Sequence, residues 1–193
     1  MTRTLDHARR DQLAAAAADF FVANGNLQAS LRELASDVGA SARMLVHHFG
    51  DRQNLVDAAL EIARARQIEA ARAAIVPGPD ALAVLGEAWR WFRRKDTRRY
   101  FVLFSNVAAK ERAAPAGERR FTRRLGSDWR PLFEAVFRAD PRFTRDAPTL
   151  ALLVVSALRG FSLDLNDGAD AAHHKRAFGA LIELIAAAGE PRR

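Results

Sequence analysis

Residues 30–55 read SLRELASDVGASARMLVHHFGDRQNL, and the fold turns on how that stretch divides. Ser30 with Glu33 three residues on is a capping box: hydroxyl and carboxylate each accept from an amide that a new helix leaves unpaired. Leu34, Ala35 and Val38 continue that helix, and Gly39 ends it, glycine being the residue that enters a left-handed turn at no steric cost. Ser41 is placed to cap another helix running to about His48. Asp51 with Asn54 is placed to cap the next, which runs to about Ile75 and stops at Pro77, Gly78 and Pro79. The stretch therefore predicts two short helices joined by a three- or four-residue turn, the arrangement in which a second helix can enter the major groove of DNA.

Upstream, residues 6–24 carry Leu13, Ala16, Ala17, Phe20 and Phe21 at three- and four-residue spacing, which predicts an amphipathic helix closed by Gly25. Downstream, helices are expected at 80–94, 97–112, 118–139, 145–166 and 170–188. Their separators are Asp96, the 113–117 segment with Pro115, the Asp140 and Pro141 pair, and the turn at Asn166, Asp167 and Gly168. Ile, Val and Thr are too sparse to build several strands. The expectation is an all-α chain of about nine helices: a three-helix helix-turn-helix domain over residues 1–55 and a helical ligand-binding and dimerisation domain over 56–193.

The 193 residues contain no cysteine, which excludes disulfides, thiolate metal sites and a cysteine nucleophile and fits a reducing cytoplasm. Residues 1–10 hold no apolar run that could act as a signal peptide. The longest apolar stretch, residues 149–158, is too short to span about 30 Å of hydrocarbon, so a soluble, cytoplasmic protein with no membrane partner is expected. Net charge is +7. Up to residue 55, however, six arginines (Arg3, Arg9, Arg10, Arg32, Arg43, Arg52) meet six acids (Asp6, Asp11, Asp19, Glu33, Asp37, Asp51). The excess lies beyond, around Arg90 to Arg99 and Arg119 to Arg124, where it serves as a solvated face or attracts an anionic effector, the solvated face being the preferred reading. Overall basicity is thus no argument for DNA binding. Neither His47 with His48 nor His173 with His174 forms a chelate, since helical neighbours point about 100° apart. No metal-ligand spacing and no phosphate-binding glycine loop occurs, so no metal, cofactor or catalytic residue is expected.

From Leu13 to about Leu60 the chain resembles the amino-terminal signature of the TetR (tetracycline-repressor) family of transcriptional regulators. The matching residues are Leu13, Ala17, Phe21 and Gly25, then Ser30, Leu34 and Ala35, Gly39 and Ser41, and Leu45, His47, His48, Phe49, Gly50, Arg52 and Leu55. The resemblance implies a homodimer that binds a palindromic operator in double-stranded DNA, most often as a repressor, and answers to a small-molecule effector. Ser41, Ala42 and Arg43 then face base edges, Arg43 being able to bond N7 and O6 of guanine together. His47, Arg52 and Ser30 would hold phosphates. Val46 stands where the family usually has a tyrosine that reaches a phosphate, which puts that contact in doubt.

In the carboxy-terminal region the resemblance is one of architecture. It implies an effector cavity, for which Trp89, Phe92, Phe104, Asn106, Trp129, Phe133 and Arg159 are the candidates, although helical aromatics are as often plain core. It also implies that the last two helices pair with those of a second copy. Leu153, Leu158, Phe161, Phe178, Leu181 and Ile185 supply the apolar surface for that interface. Effector binding would select a state whose recognition helices are wrongly spaced for DNA, with the fourth helix as the lever. The alternative is a helical small-molecule-binding or interaction protein of the same fold that has lost DNA binding.

Overall fold

The computed structural model describes residues 2–113 and 120–189. Among them are nine helices and no strand: α1 (Thr2–Asn24), α2 (Leu31–Asp37), α3 (Ala42–Phe49), α4 (Arg52–Ala74), α5 (Ala81–Phe92), α6 (Lys95–Arg112), α7 (Arg120–Arg138), α8 (Ala147–Asn166) and α9 (Ala171–Ala188). Boundaries differ from expectation mainly where no cap marks them. The first helix opens at Thr2 rather than residue 6, and α6 opens at Lys95, with Arg94 as an N-cap that makes no side-chain cap bond. The expected start of the seventh helix at residue 118 lies outside the described residues.

The chain forms two compact units, Met1–Gln67 and Ile68–Arg193. Their division falls within α4, later than the boundary expected at residue 55. The first half of α4 buries Leu55, Val56, Ala59, Leu60 and Ala63.

In the first unit α1, α2 and α3 pack pairwise. Leu13, Ala17 and Phe21 of α1, Leu34 and Ala35 of α2, and Leu45 and Phe49 of α3 are buried. Two glycines set the turns: Gly39 has φ +66° between α2 and α3, and Gly50 has φ +79° after α3, where any other residue would be strained.

In the second unit α8 packs on α6, α7 and α9, and α5 packs on α6, α7 and α9. Phe133, Val136 and Phe137 of α7 and Ala151, Val154 and Leu158 of α8 form the buried centre. After α7 the carboxylate of Asp140, which is 1% exposed, accepts from the Ala81 amide at 3.0 Å and from Arg142 Nη2 at 2.7 Å. It satisfies an orphan donor at the start of α5, and with Arg142 it lies well below the ordinary carboxylate range, at about 2.

Candidate nucleic-acid interface and ligand cavity

The short helix α3 owes its placement to local devices. Ser41 Oγ accepts from the Met44 amide at 3.1 Å and opens α3. The Ser30 hydroxyl accepts from the Glu33 amide at 3.2 Å while the Ser30 amide donates to the Glu33 carboxylate at 2.6 Å, opening α2. Those bonds hold the Glu33 carboxyl below its usual range. At the other end of α3, Arg10 Nε donates to the His48 carbonyl at 3.3 Å, and its guanidinium lies 4.9 Å from the Phe49 ring centre. A cation there complements the negative end of the helix dipole.

Held this way, α3 presents two unlike faces. Leu45 and Phe49 are buried, whereas Arg43, Met44, Val46 and His47 are exposed, Val46 by 44% and Met44 by 36%. Ala42 is half-buried and Ser41 exposed at the amino-terminal end. Among the described residues nothing pairs with the Arg43 guanidinium. Met44 was missing from the sequence-derived set. Its signal was available, since an apolar residue one position before Leu45 cannot share the buried face of the helix.

One candidate is corrected. Arg52 does not point outward to hold a phosphate: it is half-buried, its Nε donates to the Ala29 carbonyl at 2.7 Å, and its Nη2 donates to the Leu27 carbonyl. The loop before α2 leaves those carbonyls without helical partners, and a planar guanidinium reaches both at once. Arg52 thus pins the α1–α2 loop. Ser30 is exposed, and its oxygen is engaged by Glu33 while its hydroxyl hydrogen can still be donated outward.

The second unit contains a cavity of about 180 Å³. Phe92, Phe101, Phe104, Trp129 and Phe133 form its aromatic wall, Leu125, Val155, Leu158 and Leu163 its aliphatic wall, and Ser105, Ser162, Arg112 and Arg159 its polar groups. Of the seven residues expected here, five are brought together: Phe92, Phe104, Trp129, Phe133 and Arg159. Two are not. Trp89 is buried elsewhere, stacked on Phe178 with ring centres 4.6 Å apart and edge-on to Phe161 at 5.7 Å. Asn106 is exposed and is not among the residues lining the cavity. Arg112 lines it without having been expected there.

The face expected between two copies also divides. Leu153 is 46% exposed and Phe161 and Leu181 are half-buried, but Leu158, Phe178 and Ile185 are buried within the chain and cannot contact a partner as they stand. They lie on the stripes by which α8 and α9 join the core of their own unit. Outward-facing leucines instead include Leu152, 55% exposed, and Leu184, 70% exposed. Helix α8 is long and apolar enough, by length and composition alone, to cross a membrane, although its longest apolar stretch, residues 149–158, is shorter than a span. Only a third of its most apolar window is buried.

In structure the chain is similar to a protein from Rhodococcus sp. assigned to the TetR family of transcriptional regulators, with a TM-score of 0.67, 17% identity, and coverage of 92% of this chain and 98% of that one. The fold is TetR-type. A transcriptional regulator from Rhodococcus sp. Rha1 gives a TM-score of 0.69 at 22% identity, covering 91% of this chain and 95% of its own. A protein from Pseudomonas aeruginosa PAO1, also described as a transcriptional regulator, gives 0.67 at 18% identity over 94% and 91%. No family model matches the sequence, and no curated protein does.

Among the described residues no three His, Cys, Asp or Glu side chains converge as metal ligands would. The His47 and His48 rings meet edge to face at 5.1 Å, and His48 Nδ1 lies 3.2 Å from Asp6. His174 is tied to the Asp170 carbonyl and to Asp164. The exposed face of α3 carries Arg43, Met44, Val46 and His47, and the cavity wall is mainly aromatic and aliphatic with four polar side chains.

Proposed function

We propose that the chain is a transcriptional regulator that binds double-stranded DNA as a homodimer, with α3 as the reading helix, and that a small molecule in the cavity of the second unit alters that binding. One observation carries the reading: α3 is anchored by its buried face while Ser41, Arg43, Met44, Val46 and His47 stand outward, with the guanidinium of Arg43 unengaged. In the major groove Arg43 would bond guanine N7 and O6, Met44 and Val46 would meet thymine methyls, and Ser30, Ser41 and His47 would hold phosphates. Ala42, the smallest residue at that end, lets the backbone approach the bases.

Dimerisation rests on Leu152, Leu153 and Leu184, exposed apolar side chains on α8 and α9 that a second copy would cover. Two copies of α3 about 34 Å apart would meet successive major grooves on one side of a palindrome. The role is that of a binding protein and not of an enzyme, acting in the cytoplasm, with repression as the expected outcome. The units 1–67 and 68–193 would divide the work between DNA and effector.

Selection of bound sequences from a random duplex pool tests this directly. The expected result is a two-fold symmetric site whose preference at one guanine disappears in Arg43→Ala. A pool that yields no enriched sequence would falsify the reading. Val46 and the inward Arg52 favour a second one, a helical small-molecule-binding protein that no longer holds DNA, because two phosphate contacts are then missing. A salt titration separates the two, since phosphate contacts give a steep fall of affinity with ionic strength.

A further inference from the structure

The outward face of α3 has a composition that narrows the DNA it fits, given that α3 is the reading helix of the proposed regulator. Arg43 and Val46 are three residues apart and so share one side of the helix, with Met44 beside them. Met44 is 36% exposed and Val46 44%, so two apolar side chains flank an unengaged guanidinium. Val46 can bond neither a phosphate nor a polar base edge, and exposed apolar groups gain only by leaving water. The apolar group that a base edge offers in the major groove is the methyl on C5 of a pyrimidine, which thymine always carries and cytosine carries when methylated. We infer that α3 reads a 5-methylpyrimidine next to the guanine bonded by Arg43, so that thymine or 5-methylcytosine is accepted there and unmodified cytosine is disfavoured.

Spacing and charge agree with this. One helical turn rises about 5.4 Å and successive bases about 3.4 Å. Helical side chains lean toward the amino terminus, so Val46 covers surface close to the turn that carries Arg43. The two therefore meet adjacent bases. Up to residue 55 the arginines and acids balance, Arg52 is spent on the carbonyls of Ala29 and Leu27, and Val46 offers no donor to a phosphate. With those phosphate contacts absent, contacts to base edges carry a larger share of the affinity, and with it of the specificity. Burial of one methyl group is worth about fourfold in affinity, so two symmetry-related half-sites give about fifteenfold.

The test uses the full chain and the site enriched from an unmethylated random duplex pool, with affinity read by fluorescence anisotropy at one salt concentration. Thymine should be selected next to the guanine whose preference depends on Arg43. Replacing that thymine by deoxyuridine in both half-sites, which removes only the methyl groups, should weaken binding about fifteenfold. With cytosine paired to guanine at the same position, methylation at C5 should strengthen binding by about the same factor. Both gaps should close in M44A/V46A, which changes the exposed face and keeps the buried Leu45 and Phe49; a gap caused by duplex stiffness would survive there. A purine or cytosine selected at that position, equal affinities with and without the methyl groups, or gaps undiminished in M44A/V46A would each overturn the inference. A pool that yields no site removes DNA binding and the methyl preference together, whereas a site bound equally in its thymine and deoxyuridine forms removes the methyl preference alone.

Discussion

The two units place their exposed and binding groups by different means. In the first, the outward face of α3 is set within about twenty residues by two serine caps, one of them a capping box, and two left-handed glycines. In the second, the cavity wall is drawn from α5, α6, α7 and α8, between Phe92 and Leu163, and depends on how those four helices pack, although Asp80 caps α5 locally. Local devices act residue by residue, so a substitution on α3 can alter recognition and leave the fold intact. Packed walls act together, so a substitution in the second unit changes stability, association and ligand fit at once.

The sharpest break of that contrast is a surface change in the second unit with a large effect on the first unit's function. Leu153→Asp with Leu184→Asp places a charge on each of the exposed helix faces. In a two-fold dimer every substituted position counts twice, and a fully buried leucine contributes about 1.5 to 3 kcal/mol. Dimerisation should weaken by about 10³-fold or more, and affinity for a palindromic site should fall with it, while circular dichroism is unchanged. Sedimentation velocity reads the first and a mobility shift the second. If the variant remains dimeric, these leucines do not form the interface.

Next in size is Asp140, which caps α5 from the far end of α7, beside the local N-cap Asp80. Its carboxyl titrates at about 2, against 3.8 for the ordinary group, because Arg142 and the amides of Ala81 and Arg142 bond the charged form. A lowered folded-state value means that its contribution is present in full above about pH 4 and is lost as pH falls through 2. The shift corresponds to roughly 2 kcal/mol. Asp140→Ala should therefore cost about 2 to 3 kcal/mol in urea unfolding at pH 7, and the charge-linked part of that loss should largely vanish near pH 2, leaving the smaller cost of the orphaned Ala81 amide. Equal losses at both pH values would show that packing, not charge, makes the position sensitive.

The same contrast explains what could be read from the sequence. The α2 and α3 starts were legible in Ser30, Glu33 and Ser41, because a cap involves only near neighbours. Arg52 was misplaced for the opposite reason: the carbonyls of Leu27 and Ala29 that capture it come from a loop more than twenty positions away, and sequence spacing carries no sign of their direction. On α8 and α9 the apolar stripes were visible, but a helix greasy on more than one side does not say which stripe faces its own core. Leu158, Phe178 and Ile185 proved internal, and Leu152 and Leu184 external. Trp89 and Asn106 failed as cavity residues because membership depends on where four helices cross.

Within the first unit, Arg43 and Arg52 form a matched test. Arg43→Ala should cost about 1 to 3 kcal/mol at the preferred site and little on random DNA, since a bidentate guanine contact discriminates between bases. Arg52→Gln should lower the thermal midpoint, because it frees two loop carbonyls, and leave the salt dependence of DNA binding unchanged. A reduced salt slope in Arg52→Gln would return that residue to the phosphate-contacting set.

The smallest expected effect lies at the turn between α8 and α9. His174 Nδ1 is 2.9 Å from the Asp170 carbonyl and Nε2 is 3.2 Å from the Asp164 carboxylate. Both partners accept, and a neutral imidazole donates from only one nitrogen, so the arrangement is completed by the protonated ring. The bond to the Asp170 carbonyl, then the one to Asp164, accordingly raise the His174 pKa above its ordinary 6.5. A raised folded-state value means that the stabilisation is complete below about 6.5 and fades as pH rises through the folded-state pKa. Wild-type protein should thus lose thermal stability across that interval relative to His174→Gln, which keeps one donor and does not titrate. Asp164 is exposed and water competes for it, so the difference should amount to a few degrees at most. Parallel melting curves for the two proteins from pH 5.5 to 9 would show that the turn owes nothing to the charge, leaving α8 and α9 held together by their buried stripes alone.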